Sequence, residues 1–251
     1  MKGMNDLLDA LGYSQNNFNV IKLIFIFWVV TAGFSLVLSI GQITGFFEEL
    51  WIMITHTVSW GVWIFWQSIV FPHRFHKNKE LDRTVAYGKS FYFDILPGVA
   101  FGISLMLRPF SYGLFSEMDV PLSPILLVLS IAMMTCSLVV LFYSFRALGI
   151  SGASFLTEFS KTKSSWITIG IYSHIRHPIF LAGMIGSLGI SLLFFNDYML
   201  LLILINIGVL PIYAKSEDLR LSNIFGKEFE KYSSQTGAFL PKFNLIFRKN
   251  D

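Results

Sequence analysis

Two short polar clusters carry the side chains of this sequence that are best suited to chemistry. Arg176 and His177 directly precede one long apolar run, and Glu217 and Asp218 follow the next, about 40 residues further on. Free N–H groups at the start of a helix, together with Arg and His, favour a carboxylate or phosphate ligand. Adjacent carboxylates near the lipid headgroups need a cationic partner, which Arg176 or the ammonium group of a bound cofactor would supply.

Each of these residues also has an ordinary structural interpretation. Arg176 at the end of a span is a common membrane anchor, and Pro178 at the first helical position costs nothing because that N–H is unpaired anyway. The acidic pair can equally be the solvated face of a helix that leaves the membrane. The combination of the two clusters favours a binding site more than either cluster alone.

The apolar runs between the clusters determine whether they can meet. Residues 181–195 and 198–214 are each about long enough to cross a bilayer, and Asn196-Asp197 between them is a turn signal. If both runs cross, the chain goes out and comes back. The basic and acidic clusters then lie on the same face of the membrane.

The composition is that of an integral membrane protein. Of the 251 residues, 54% are hydrophobic and 14% are charged, against about a quarter charged in an average soluble domain. Cys136 is the single cysteine, so no disulfide can form within the chain and no cysteine-based metal site is expected. We predict no metal site and no nucleic-acid partner, because the basic residues flank apolar spans.

The hydropathy pattern predicts an all-α, polytopic membrane protein with about six transmembrane helices. Residues 1–150 would hold four spans and residues 151–251 a core with two more and a charged C-terminal helix over 215–232. No cleavable signal peptide is expected. The expected location is the inner or cell membrane, with both termini in the cytoplasm. Every Lys and Arg except Arg108 then falls on the inner side. The predicted spans are 18–43, 50–71, 91–107, 124–148, 178–195 and 198–214.

The last 90 or so residues resemble the isoprenylcysteine carboxyl methyltransferase family and its phospholipid N-methyltransferase relatives. That family has Gly-x-Tyr, Arg-His-Pro-x-Tyr, a hairpin of two spans, an acidic pair, Phe-Gly-x-x-Tyr-x-x-Tyr and a late proline. The matching residues here are Gly170, Tyr172, Arg176, His177, Pro178, Phe180, Glu217, Asp218, Phe225, Gly226, Phe229, Tyr232 and Pro241.

The resemblance implies a cytoplasm-facing pocket for S-adenosylmethionine that the C-terminal helix closes. It also implies a lipophilic methyl acceptor that enters from the bilayer, such as a prenylated carboxylate, a lipid amine, a thiol or a quinone-like lipid. The oligomeric state is left open. By the resemblance, the cofactor-binding residues are Ser165, Trp166, Ile167, Tyr172, His177, Pro178, Ile179, Phe180, Glu217 and Asp218.

Three departures from the family pattern bear on the acceptor. Phe180 and Phe229 replace tyrosines, Asp218 replaces a glutamate, and Tyr213 stands where the isoprenylcysteine enzymes carry a substrate-side arginine. A carboxylate acceptor needs no base, whereas an amine or thiol would need one. The catalytic candidates are Tyr213 and Arg176, and the candidate bases are His177, Tyr213 and Asp94.

Two other functions remain open from the sequence. Sterol reductases share an Arg-His-Pro-Asn-Tyr variant on a similar hairpin and bind NADPH, but Ile179-Phe180 lacks the Asn-Tyr. The other alternative is a non-enzymatic membrane protein in which the hairpin serves only as a scaffold. Asp94 within the third span is an intramembrane carboxylate with which Lys89 could pair, and His56 is a weaker candidate of the same kind.

Overall fold

The computed structural model describes residues 3–43, 49–78, 81, 83–115, 123–159, 167–193 and 197–242. These residues are nearly all helical, and no β-strand occurs among them. One isolated bridge joins Ile175 to Gly237. The all-α prediction is therefore confirmed for the described part of the chain. Its α-helices are, in order, α1 (Met4–Ala10), α2 (Asn17–Ile43), α3 (Glu49–Phe65), α4 (Phe71–Asn78), α5 (Arg83–Ser90), α6 (Leu96–Phe115), α7 (Pro124–Ala153), α8 (Pro178–Leu193), α9 (Asp197–Phe225) and α10 (Lys227–Gln235).

Two π-helical turns connect consecutive α-helices, and the hydropathy pattern does not reveal either of them. Trp66–Val70 connects α3 to α4, and Phe91–Ile95 connects α5 to α6. Such insertions are rare and are frequent at functional sites. Between the second and third predicted spans, Phe71–Asn78 and Arg83–Ser90 are therefore helical, and Phe71, Phe75 and Tyr87 turn inward and form a buried aromatic core.

Four helical segments in the described part of the chain are long and apolar enough to cross a membrane: Asn17–Gly41, Thr84–Tyr112, Pro124–Phe159 and Tyr198–Phe225. Large apolar side chains such as Phe25 on α2 and Phe142 on α7 are exposed on their outer faces. Only a bilayer accommodates so much exposed apolar surface on a single chain. The protein is an integral membrane protein, whereas the count of six spans and the cytoplasmic termini remain predictions, since the helix Pro178–Leu193 is shorter and α3 is not among the four.

Close packing of α7 against α8 positions the start of the C-terminal hairpin. Ser137 Oγ donates to the carbonyl of Ala182, and Ser130 Oγ donates to the carbonyl of Gly189, both at 2.7 Å. A β-carbon at Gly186 would lie only 2.8 Å from Ser137 Oγ. Small residues on α8 thus let the two helices approach closely enough for these bonds.

A break in α7 directs its C-terminal end toward the hairpin. Gly149 has φ 66° and ψ 177°, a conformation that glycine adopts without strain. Beyond it, the 3₁₀ turn Leu156–Phe159 brings Glu158 into the protein, where it is buried. This segment supplies one side of the polar site described next.

Candidate functional site

The α8–α9 hairpin brings the two polar clusters of the sequence into contact. His177 Nδ1 lies 3.2 Å from Glu217 Oε2, and His177 Nε2 lies 2.9 Å from Asp218 Oδ1. The His177 side chain is 3% exposed. The predicted meeting of the clusters on one face of the protein is therefore observed, with His177 as the bridge between the two carboxylates.

Arg176 joins the acidic pair to the C-terminal part of the chain. Its Nε and Nη2 donate to both oxygens of Asp218, with a shortest distance of 2.8 Å. Its Nη1 donates to the carbonyl oxygens of Ser233, at 3.1 Å, and Thr236, at 2.5 Å. The cationic partner expected for the acidic pair is thus Arg176, which is also anchored to the end of α10.

A second cation, Arg220, engages the other carboxylate. Arg220 donates to both oxygens of Glu158 at 3.2 Å and to Glu217 Oε1 at 3.4 Å. The guanidinium lies over the rings of Phe71 and Phe155, 5.3 and 5.0 Å from their centroids. We call Arg176, His177, Glu217, Asp218 and Arg220 the proximal cluster, and Glu158 closes it toward α7.

Sequence reasoning missed Arg220 and Glu158. A signal for Arg220 exists, since it follows Glu217 by three residues and therefore shares its face of the helix. No signal marks Glu158, because it is 62 residues away from Arg220 in a different element.

The charges around His177 determine its protonation. Burial alone would lower the pKa of His177, but the hydrogen bonds to Asp218 and Glu217 and their negative charges outweigh it and raise the pKa to about 9. Both ring nitrogens face carboxylate oxygens, so both carry hydrogens in this arrangement. His177 is an imidazolium at neutral pH and is not free to accept a proton.

The segment after α10 covers the start of α8. The backbone N–H groups of Arg176 and His177 donate to the carbonyls of Gly237 and Ala238 at 2.9 and 3.0 Å. A β-carbon at Gly237 would collide with the carbonyl of Leu240, so only glycine allows this close approach. The start of α8 is therefore covered by residues that lie about 60 positions further along the chain.

Tyr232 of α10 adds a side-chain bond to the same region. Its hydroxyl donates to the carbonyl of Tyr172 at 2.7 Å. Burial raises the pKa of Tyr232 to about 12, and burial also raises the pKa of Tyr172. Both phenols stay protonated at physiological pH, which keeps Tyr232 a hydrogen-bond donor.

An aromatic stack leads from the proximal cluster into the membrane-spanning region. The Phe180 ring stacks on His177 with centroids 5.5 Å apart and planes 6° apart. Phe180 contacts Tyr213 at 5.3 Å, and Tyr213 contacts Trp63 at 4.3 Å. Charged side chains thus adjoin aromatic rings, a combination suited to a ligand with polar groups and a delocalised or sulfur-centred cation.

The remaining candidate residues are distributed as follows. Tyr172 and Pro178 are buried and Ile179 is half-buried, all within the segment that carries His177. Ile167 is half-buried and approaches Gly152 at the end of α7. Ser165 and Trp166 lie outside the described residues.

Asp94 has a different partner from the one expected. Arg74 Nη1 of α4 lies 3.3 Å from Asp94 Oδ1, whereas Lys89 is exposed. The Lys89 pairing is wrong because Asp94, in the π-helical turn, points inward toward α4 and is 0% exposed. In the ranges that the structure covers, no group of three His, Cys, Asp or Glu is arranged to hold a metal ion.

Residues 125–228 match the family model of the phospholipid methyltransferases. The matched segment runs from α7 to the start of α10 and contains His177, Glu217, Asp218 and Arg220. The resemblance inferred from the sequence is therefore confirmed for this segment.

Two curated relatives are named as metal-resistance proteins. The nickel-cobalt-cadmium resistance protein NccN of Alcaligenes xylosoxydans xylosoxydans is 30% identical over 81 residues, which cover 32% of this chain and 38% of that protein. The cobalt-zinc-cadmium resistance protein CzcN of Cupriavidus metallidurans is 29% identical over 120 residues, 47% of this chain and 51% of that protein. The chain thus spans about half or less of these relatives, and no solved structure matches it significantly.

Proposed function

We propose that this chain, whose residues 125–228 match the family model of the phospholipid methyltransferases, transfers a methyl group from S-adenosylmethionine to a lipophilic acceptor. The observation that carries the proposal is the bridge from His177 to Glu217 and Asp218 at the end of the family-matched hairpin. This arrangement supplies anionic oxygens next to aromatic rings. The NADPH reductase and scaffold alternatives lose support, since the matched family is one of methyltransferases.

The residues of the site fit the groups of such a cofactor. Glu217 and Asp218 are partly exposed, with 18% and 22% of their side-chain surface accessible, so their oxygens can accept hydrogen bonds from an ammonium group or ribose hydroxyls. Phe180, which is half-buried, offers a ring face to a sulfonium, and Tyr213 packs behind it. When bound, the cofactor supplies an electrophilic methyl group. Ser165, Trp166, Ile167, Tyr172, Pro178 and Ile179 complete the proposed lining.

Within this proposal the proximal cluster orients and does not transfer protons. His177 is already protonated and hydrogen-bonded at both nitrogens, so it serves to fix the two carboxylates. Arg176, one of the two catalytic candidates, donates its hydrogen bonds to Asp218 and to the carbonyls of Ser233 and Thr236 at the end of α10. Its role is therefore the positioning of Asp218 and of the covering segment, which excludes water from the methyl donor.

Tyr213 is the other catalytic candidate, and it keeps that role in the proposal. It lies between Phe180 and Trp63, in the aromatic stack that leads away from the proximal cluster. An acceptor that arrives from the bilayer would meet the cofactor at this point. A lipid amine, a prenylated carboxylate and a thiol all suit a site of this kind, and in-line placement at about 3–3.5 Å is the main requirement.

Isothermal titration of the purified protein with S-adenosylhomocysteine and with NADPH tests the proposal. We expect S-adenosylhomocysteine to bind and NADPH not to bind. Glu217→Gln should weaken S-adenosylhomocysteine binding at least tenfold, whereas Glu228→Gln, on the exposed face of α10, should leave it unchanged. Binding of NADPH alone, or of neither ligand, would overturn the proposal, and equal affinity of Glu217→Gln would remove Glu217 from the site.

A further inference from the structure

A second polar cluster lies at the far end of the aromatic stack, inside the membrane-spanning region. Trp63 contacts Trp60 at 5.3 Å, and Trp60 contacts His56 at 6.3 Å. His56 and Asn206 are 0% exposed and Arg108 is 3% exposed. These three residues, which we call the distal cluster, come from three different helices, α3, α6 and α9.

The hydrogen bonds of Asn206 fix the orientation of its amide. Trp60 Nε1, which can only donate, lies 2.8 Å from Asn206 Oδ1, and His56 Nε2 lies 2.9 Å from the same oxygen. Asn206 Oδ1 is therefore the acceptor for Trp60, and His56 Nε2 donates to the same oxygen in the tautomer that carries its hydrogen on Nε2. Trp60 Nε1 also lies 3.2 Å from His56 Nε2. The amide nitrogen of Asn206 is buried and has no hydrogen-bond partner among the described residues.

Arg108 leaves most of its donors unused. Its Nη2 donates to Thr55 Oγ1 at 2.8 Å, and Thr55 adjoins His56 on α3. Its Nε and Nη1 are buried without a hydrogen-bond partner. The acid nearest to Thr55 along α3, Glu49, accepts a bond from Tyr112 at 3.3 Å, and in the described residues no carboxylate forms an ion pair with Arg108.

The distal cluster therefore combines a buried positive charge with an excess of donors. Arg108 Nε and Nη1 and Asn206 Nδ2 all require an acceptor, and the guanidinium stays charged in proteins. A water molecule could accept some of these hydrogens but would leave the charge uncompensated in an apolar surrounding, where an unpaired charge is strongly unfavourable. A ligand that only accepts and that carries a negative charge meets both needs.

We propose that the distal cluster is a binding site for an anionic group, either a free inorganic anion or the phosphate of an anionic lipid. The site is distinct from the proximal cluster. Asn206 and Glu217 are eleven residues apart on α9, which separates them by about 16 Å along the helix axis. An anion here would tie α3, α6 and α9 together on the far side of the aromatic stack.

Thermal unfolding of the full chain in lipid nanodiscs tests the site and identifies its source of anion. In neutral phosphatidylcholine, we compare sodium phosphate and sodium chloride with sodium gluconate at equal ionic strength. A second arm replaces part of the neutral lipid with phosphatidylglycerol. A rise of several degrees in the unfolding temperature with phosphate or chloride indicates a free anion, and a rise with phosphatidylglycerol alone indicates a lipid headgroup.

Three variants decide whether the response belongs to the distal cluster. Arg108→Gln should lose the rise, whereas Arg146→Gln, which removes an exposed arginine of α7, should keep it. Asn206→Asp provides a carboxylate within the cluster and should start at the higher unfolding temperature with little further response, which keeps the test informative even if Arg108→Gln folds poorly. A wild-type protein that responds to none of the anions or lipids, or an Asn206→Asp protein that responds as the wild type does, would overturn the proposal.

Discussion

The two polar clusters of this protein differ in how completely their charges are matched. In the proximal cluster each carboxylate contacts a cation, and His177 and Arg220 each contact two carboxylates. In the distal cluster a buried arginine has a single hydroxyl as its partner among the described residues. The first cluster is self-sufficient and holds a fixed geometry, whereas the second is complete only when something else is bound.

This difference predicts opposite responses to the loss of a cation. Removal of one partner from a matched buried network leaves a bare charge behind, which is strongly destabilising. Removal of an unmatched buried charge takes away an unfavourable group. Substitutions of charged residues in the two clusters should therefore change the free energy of unfolding by clearly different amounts. Measuring these changes is the most direct test of the difference between the clusters.

The largest effect is expected for Arg220→Met. It leaves Glu158 and Glu217 buried without their shared cation, and we expect a loss of about 3–5 kcal/mol in the free energy of unfolding. Unfolding in mixed micelles with increasing denaturing detergent measures it. The double variant Arg220→Met/Glu158→Gln should recover part of the loss, and equal losses in the single and double variants would contradict a matched network.

The protonation of His177 predicts a decline of stability with rising pH. Since the folded pKa is raised from 6.5 to about 9, the contribution is fully present below pH 6.5 and is lost as pH rises toward 9. Its size is up to about 3 kcal/mol, at about 1.4 kcal/mol per pKa unit. The unfolding temperature measured between pH 6 and pH 9.5 should fall, and His177→Gln should flatten the profile between these limits.

A smaller effect is expected for Arg176→Lys. The lysine keeps the charge but cannot bind Asp218 through two nitrogens while also donating to the carbonyls of Ser233 and Thr236. We expect a loss of about 1–2 kcal/mol, together with faster proteolysis of the segment after α10. Unchanged protection of that segment would show that Arg176 does not anchor it.

The smallest effect is expected for Arg108→Leu in neutral lipid without added phosphate. The substitution removes an unmatched charge and fills the space with apolar atoms, so the change in unfolding free energy should be less than about 1 kcal/mol and can be stabilising. The same detergent unfolding measures it beside Arg220→Met. A loss as large as that of Arg220→Met would mean that Arg108 already has a full set of partners.

The sequence allowed the proximal cluster to be predicted because the relevant signals are local. Two apolar runs of membrane-spanning length and a turn between them determine that His177 and the acidic pair share a face, and the arginine next to His177 pairs with Asp218. The pairs that were missed or misassigned, Arg220 with Glu158 and Asp94 with Arg74, depend on contacts between separate helices. Hydropathy gives the length of a span but not its rotation about its own axis.

The distal cluster illustrates the same limit. Arg108 was recognisable as the exceptional cation of the charge pattern and His56 as an intramembrane histidine, but their relation to Asn206 depends on the relative register of three helices. The π-helical turns at Trp66–Val70 and Phe91–Ile95 change that register, and single-sequence periodicity does not predict them.

The hydrogen bonds between residues 174–177 and 236–238 have a consequence for shortened forms of the protein. The backbone N–H groups of Arg176 and His177 donate to the carbonyls of Gly237 and Ala238, which lie beyond α10. A chain cut after Phe225 would keep both helices of the hairpin but lose these acceptors, together with the carbonyls of Ser233 and Thr236 that Arg176 binds. Such a chain would keep its apolar helices, while the start of α8 would be uncovered.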